Sequence, residues 1–317
     1  MCMRHLLKAS PVTVHWGYFD ANLKPVLKIN SGDIIEVFTA AELHPSIERD
    51  FGGKVPKEIR DICNEVRERG PGPHILTGPV YVEGARPGDV LEINLLEIEP
   101  WLEYGFNLFR PGQGVVPEDY PYSADRAIPI DLESKSILFS GLKIPLRPFF
   151  GILGVAPPEG RISSATLGKH GGNLDNKELV APSRLYLPIH VDGALFSIGD
   201  GHACQGDGEV NLTALETSLR GLIQLNVRKG VRIKWPMAET EQSYILMAFA
   251  PDLDEALKIA VRNTIEFLVG KGFDREEAYV FCSLSVDFRI SQAVNDLRGI
   301  YAKVPKDVLR DRINSLI

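Results

Sequence analysis

The sequence predicts a mainly β protein: a β-sandwich-like body followed by an α+β C-terminal part. Residues 24–38 and 79–98 cluster or alternate Val, Ile and Leu around turn signals, as strands do. The last third instead spaces its apolar residues at helical intervals behind acidic caps. Between them, residues 105–160 are dense in Gly and Pro, which breaks regular elements and favours long loops. Strands first and helices later suit a sandwich with a helical addition. We place the division at 1–211 for the sandwich and 212–317 for the α+β part.

The two N-terminal strand regions echo each other. Ser31-Gly32-Asp33-Ile34 and Pro87-Gly88-Asp89-Val90 each put a Gly-Asp turn before a β-branched run, which suggests a related hairpin used twice. A helix is expected from Pro56 to Arg69, stopped by Gly70-Pro71-Gly72-Pro73. Residues 185–199 read as strand, a turn at Asp192-Gly193, and strand. Asp252 and Glu255 open a helix through Leu253, Ala256, Leu257, Ala260, Val261, Thr264 and Leu268, closed by Gly270. Asp274 and Glu277 open another through Cys282, followed by a strand at 284–290 and a polar helix or loop from Lys306.

Bulk properties exclude several classes of function. The 317 residues carry a formal net charge of −7, and no basic patch interleaves with aromatics. Attraction to nucleic acid or to an anionic membrane surface is therefore not expected. Cys2, Cys63, Cys204 and Cys282 are widely spaced with no CxxC pair, so they read as reduced thiols. The N-terminal stretch to Pro11 lacks an apolar signal core, and no window has the apolar length of a membrane span. The expectation is a cytoplasmic protein. A chain of this length needs no structural metal to complete its core, so a metal would serve chemistry.

The densest chemical information lies in Lys169-His170-Gly171-Gly172-Asn173-Leu174-Asp175 and in Gly199-Asp200-Gly201-His202-Ala203-Cys204-Gln205-Gly206-Asp207-Gly208-Glu209. Asp200 and His202 are two apart, so on a strand both emerge on one face, as two ligands of one ion must. Asn173 and Asp175 repeat the spacing. Together they make an oxygen-rich set with an imidazole, suited to zinc, calcium or manganese. Asp207 and Glu209 add carboxylates able to accept a proton from water. Cys204 beside His202 raises a thiolate mechanism, but no base and orienting group accompany it. Two aromatic stretches, His15 to Asp20 including Trp16, and Trp101 with Tyr104 to Asn107, are candidates for pocket walls. His44 and His74 are further candidate ligands.

At HWGYFDA (15–21), PHILTGPVYVEGARPGDVLEI (73–93), GFN (105–107), GVAPPE (154–159), HGGNLD (170–175), GDGHACQGDGEV (199–210) and DLDEALKIA (252–260) the sequence resembles the acetamidase/formamidase family along nearly its whole length. The resemblance implies hydrolysis of short aliphatic amides to carboxylate and ammonia, a β-sandwich-containing fold, a metal-bearing site and a homodimer or higher homo-oligomer. Carried onto this sequence, it makes Glu209, Asp207 and His170 candidate catalytic residues. Asp200, His202, Asp175 and Asn173 become candidate ligands of a divalent ion, zinc ahead of calcium, and Gln205, Asn107 and Trp16 candidate substrate contacts. Cys204 occupies what resembles a variable slot, against the thiolate mechanism. A competing expectation is a non-catalytic β-sandwich that binds calcium and a small ligand through the same loops.

Overall fold

In the computed structural model, which describes residues 2–310, the two Gly-Asp turns do related work. Gly32 and Gly88 take φ of 95° and 91°, a region open to glycine because it has no Cβ. Each aspartate then fastens its turn: Asp33 accepts from the Asn30 amide at 3.0 Å and Asp89 from the Arg86 amide at 2.9 Å. The expected hairpins do not form, however. The strands before the turns, Leu27–Asn30 and Ile75–Glu83, pair in parallel in one sheet. The strands after them, Ile34–Phe38 and Val90–Pro100, lie in the other sheet, on either side of Leu219–Arg228. Each turn is thus a crossing between sheets. The turn at Asp192-Gly193 does the same, leading from Ser183–Pro188 in one sheet to Phe196–His202 in the other.

Among the described residues these sheets have nine and twelve strands, and a two-stranded pair accompanies them. The nine-stranded sheet runs from Arg4–Lys8 at one edge to Asp287–Gln292 at the other. Its strand Leu219–Arg228 alternates buried and half-buried residues, which points one row of side chains at the opposing sheet. The main core fills the space between sheets: Ile35, Leu91, Ile93, Leu185, Ile223 and Leu225 meet Val82, Phe150, Leu153, Phe196 and Ile198. Facing apolar layers of this kind define a β-sandwich. Because Leu219–Arg228 and Ser243–Ala250 are central strands of a sheet begun by N-terminal strands, that sheet runs across the boundary expected at residues 211/212.

The helices cover outer surfaces. Leu253–Gly270 starts where Asp252 accepts from the Asp254 and Glu255 amides, and Arg275–Ser285 starts with a reciprocal capping box between Asp274 and Glu277. They bury Ile265, Leu268, Ala278 and Cys282 against Tyr244, Leu246, Ala302 and Val304 of the nine-stranded sheet. This cover explains why Ser243–Ala250 is buried on both faces. The last of these helices runs on to Ser285, so the following strand is Asp287–Gln292 and not 284–290. Near the N-terminus, Pro45–Phe51 and Lys57–Glu65 place Ile47, Ile59 and Ile62 against Ile75, Tyr104, Phe106 and Leu108. The second is shorter than expected, ending before the Gly-Pro run. Beyond Pro305 a short helix, Lys306–Leu309, follows; the remainder of the expected terminal segment, 311–317, lies outside the described residues.

Candidate active site

One strand brings the two glycine-rich motifs together. Phe149–Gly154 pairs antiparallel with Gly171–Asn173 on one side and with Phe196–His202 on the other. The segments ending in Asp175 and in His202 are therefore neighbours in space. Gly151, midway along the shared strand, supplies the room. A Cβ there would lie 2.5 Å from Asp200 Oδ2, 2.7 Å from Asp175 Oδ1 and 2.8 Å from His202 Cε1. The Gly151 carbonyl also accepts from the Leu174 and Asp175 amides at 2.9 and 3.2 Å, which fixes the turn that presents Asp175.

Four carboxylates and one imidazole converge over this glycine. His202 Nε2 lies 3.3 Å from Asp200, 3.2 Å from Glu216 and 3.9 Å from Glu209. Donor atoms of Asp175, Asp200 and His202 all fall within 4.8 Å of one another, as do those of His202, Glu209 and Glu216. Asp175, Asp200 and Glu209 adopt φ of 43°, 55° and 47°. Non-glycine residues enter this left-handed region only where the surroundings over-determine them, at a cost of roughly 1–3 kcal/mol each. Glu216 sits directly opposite His202 in the pairing of Glu216–Thr217 with Phe196–His202.

The imidazole is held in one orientation. Gln205 Nε2 donates to the carbonyls of Asp175 at 2.8 Å and Ser291 at 3.1 Å, so its amide oxygen faces His202 Nδ1 at 2.8 Å. That oxygen only accepts, so Nδ1 carries a proton and donates it. In the protonated ring Nε2 faces the Asp200 and Glu216 carboxylates as a donor; in the neutral ring it is the nitrogen free to hold a cation. Phe149 meets the ring edge-on with centroids 4.9 Å apart.

Burial sets the electrostatics. Desolvation, then the neighbouring carboxylates, push Asp175 and Glu209 well above the usual carboxylate range. Burial also raises Glu216, with His202 opposing. For His202 burial acts downward, but Glu216 and Asp200 outweigh it and hold the imidazolium well above its ordinary value. For Asp200 burial acts upward, and His74 and His202 reverse it, leaving Asp200 below its ordinary value. The cluster titrates as a coupled unit.

This donor set fits a divalent cation. Among the described residues no lysine or arginine forms an ion pair with any of the four carboxylates. Buried charge needs a partner, and Asp175 Oδ1 and Asn173 Oδ1 are buried there without hydrogen-bond partners. One imidazole nitrogen with several carboxylate oxygens is a borderline-hard site. A cavity of about 300 Å³ opens over the cluster, with Asn173, Asp175, Asp200, Glu209 and Glu216 in its wall beside His74, Phe106 and Leu108. His74 is held by Ser164 Oγ at 3.0 Å and places Nε2 3.9 Å from Asp200 Oδ1.

The profile of the acetamidase/formamidase family matches residues 19–166 and 159–310. The chain belongs to that family. Membership places it among the amidohydrolases. It is 27% identical to a formamidase of Methylophilus methylotrophus, over 72% of this chain and 74% of the other. A Schizosaccharomyces pombe protein with a provisional formamidase name is 30% identical, but the match spans only 44% of this chain and 47% of that protein. A crystal structure titled as a predicted acetamidase/formamidase of Thermoanaerobacter tengcongensis superposes with a TM-score of 0.85 at 29% identity, covering 98% of this chain and 99% of the other. The mainly β sandwich is therefore the fold of this family. No helix among the described residues is long and apolar enough to cross a membrane.

In this acetamidase/formamidase-family chain the residues singled out from sequence fall into two groups. Asp175, Asp200, Asn173 and Glu209 line the cavity, and His202 stands against Asp200 and Glu209. The others lie away from its wall. Asp207 is engaged by the Tyr301 hydroxyl at 3.0 Å and by Lys177 at 3.0 Å. His170 is buried against Phe19, with centroids 5.3 Å apart, and desolvation pushes it down to about 4. Asn107 binds Asn211 and the Thr213 and Ala214 carbonyls, holding the loop behind Phe106 and Leu108. Trp16 donates to the Pro73 carbonyl at 2.6 Å and lies under Arg69. Gln205 orients His202 instead of lining the cavity. Asp207 and His170, expected as catalytic, and Gln205, Asn107 and Trp16, expected as substrate contacts, thus make these packing contacts and are not among the residues lining the cavity. Sequence reading did not single out Glu216 and Gly151. Glu216 stands in LTALETSL with no companion motif, and its signal is only its register opposite His202.

Proposed function

We propose that this chain hydrolyses a primary carboxamide to a carboxylate and ammonia at the cluster over Gly151, with a divalent ion held there. The carrying observation is the burial of four carboxylates around one oriented imidazole beside a cavity, with no lysine or arginine among the described residues paired to them.

His202 Nε2, Asp200 and Asp175 would hold the ion, with Glu216 as a further ligand and Asn173 beside them. When bound, the ion supplies Lewis acidity toward the amide oxygen and acidifies water. Glu209 is the proton carrier. Its carboxyl is pushed well upward by burial and by Asp175, a direction that makes it a stronger base; it would accept a proton from the attacking water and return it to the departing nitrogen. Gln205 keeps the His202 tautomer fixed. Asn173, whose amide oxygen has no partner, would accept from the amide nitrogen of a substrate. Zinc suits the imidazole and the small ligand number better than calcium, which takes more oxygens.

The test combines metal analysis with ammonia release from formamide, acetamide and longer amides. His202→Ala should lose the ion and the turnover. Glu209→Gln should keep the ion and lower kcat by about 10²–10⁴, the usual contribution of a positioned proton carrier. Undiminished turnover in both variants would overturn the assignment.

A further inference from the structure

We propose that the centre prefers neutral amides with an unbranched apolar acyl chain of several carbons over formamide or acetamide. This inference rests on the hydrolytic reading above and assigns its substrate class.

The cavity measures about 300 Å³. At about 30 Å³ for each water-sized unit, formamide or acetamide would fill less than about half of it. The rest would stay hydrated against a wall that is in part apolar. The apolar part of that wall includes Ala40, Ala41, Ile75, Phe106, Leu108 and Leu212. Most of these belong to the apolar cluster beneath the two N-terminal helices. The cavity therefore joins the polar cluster to a contiguous group of aliphatic and aromatic side chains, with further polar residues elsewhere in the wall. A small-molecule site of this form orients the polar head and takes up an apolar body. Two alanines in the wall leave width where larger residues would close it.

Charge narrows the class further. Besides the four cluster carboxylates, Glu42 and Asp296 face the cavity. Among the described residues, Glu42 forms its one ion pair with His44 at 3.3 Å, and Arg110, the one arginine in the wall, is exposed. A tail bearing a carboxylate would meet like charge, whereas a hydrocarbon tail would not.

The experiment uses the full chain and the series formamide, acetamide, propionamide, butyramide, pentanamide and hexanamide, with adipic acid monoamide as the charged comparison. Ammonia release gives kcat/KM for each compound, and thermal shift reads binding independently of turnover. We expect kcat/KM to rise about fourfold per methylene from acetamide upward, the usual gain from burying one CH₂. The charged monoamide should be at least about tenfold poorer than hexanamide. Ala41→Leu should move the optimum to shorter chains. Turnover that is flat or falling with chain length overturns the acyl assignment and leaves the hydrolytic reading standing. Binding that strengthens with chain length while no amide releases ammonia overturns the hydrolytic reading and supports the acyl assignment. Neither trend overturns both. A preference for the charged monoamide overturns the neutral class and assigns the tail to Arg110.

Discussion

Replacing Gly151 by alanine adds one methyl group at the point where the site is most crowded. The new carbon would lie 2.5, 2.7 and 2.8 Å from Asp200 Oδ2, Asp175 Oδ1 and His202 Cε1, below any distance real Cβ atoms keep. Restoring ordinary contact at about 3.4 Å requires those atoms to retreat by about 0.6–0.9 Å. Ligand distances tolerate only about ±0.2 Å, and a displacement of about 1 Å near reacting groups costs about 10²-fold in rate. Gly151 does not lie in the left-handed region, so alanine meets no backbone strain there. Overpacking of about 1–3 kcal/mol is partly offset by about 0.4–1 kcal/mol from a stiffer unfolded chain. The variant should therefore fold, melting a few degrees lower, while metal content and kcat/KM fall by about two orders of magnitude. The assay is ammonia release with metal stoichiometry and thermal unfolding. Gly53→Ala is the control, because nothing lies within 4 Å of its Cβ position. Wild-type turnover and metal content in Gly151→Ala would refute the placement of the hydrolytic centre over this strand.

Further outcomes follow from the same geometry. Gln205→Ala frees the His202 ring and removes the side-chain donor to the Asp175 carbonyl; metal affinity measured by chelator competition should fall about 10–100-fold. Asp207→Asn should leave kcat within about threefold of wild type, whereas thermal unfolding should show a loss of about 1 kcal/mol from the weakened contacts with Lys177 and Tyr301. In chelator, the metal-free protein should become less stable as pH rises from 5 to 8. Asp175 and Glu209 are raised by burial in the folded state, so the stability they confer is complete below the ordinary carboxylate range and is lost as pH climbs toward their raised values. His202, raised by Glu216 and Asp200 against the opposing effect of burial, acts in the same direction. A divalent ion at about 100 times its Kd should restore about 2.7 kcal/mol, with the larger gain in melting temperature at pH 8. An equal gain at both pH values would contradict carboxylate ligation.

Much of the site was legible because its residues lie in two short motifs rich in an unusual mixture of glycine, carboxylate and imidazole. The i,i+2 spacing of Asp200 and His202 led directly to a shared face, and both lie on Phe196–His202. What local pattern could not show is pairing between distant strands. Glu216 enters through a two-residue strand whose register against His202 is set by the whole sheet. Gly151 matters through the side chain it lacks. Chemical type also misled where neighbours had already claimed the group. Asp207 has the same chemistry as Glu209, but Tyr301 and Lys177 reach it first. The same applies to the fold. Gly-Asp turns were visible, but a turn that crosses between sheets carries the same residues as one that closes a hairpin.

The left-handed backbone at Asp175, Asp200 and Glu209 has a bearing on how this protein would respond to selection. Glycine at any of the three would relax the main chain and delete a buried acid, so each change would make the empty scaffold more robust while disabling it. Directed evolution scored by heat resistance alone should therefore accumulate losses at these positions. A screen that couples survival to ammonia production should keep all three acids and find its stabilising changes in loops remote from the cavity.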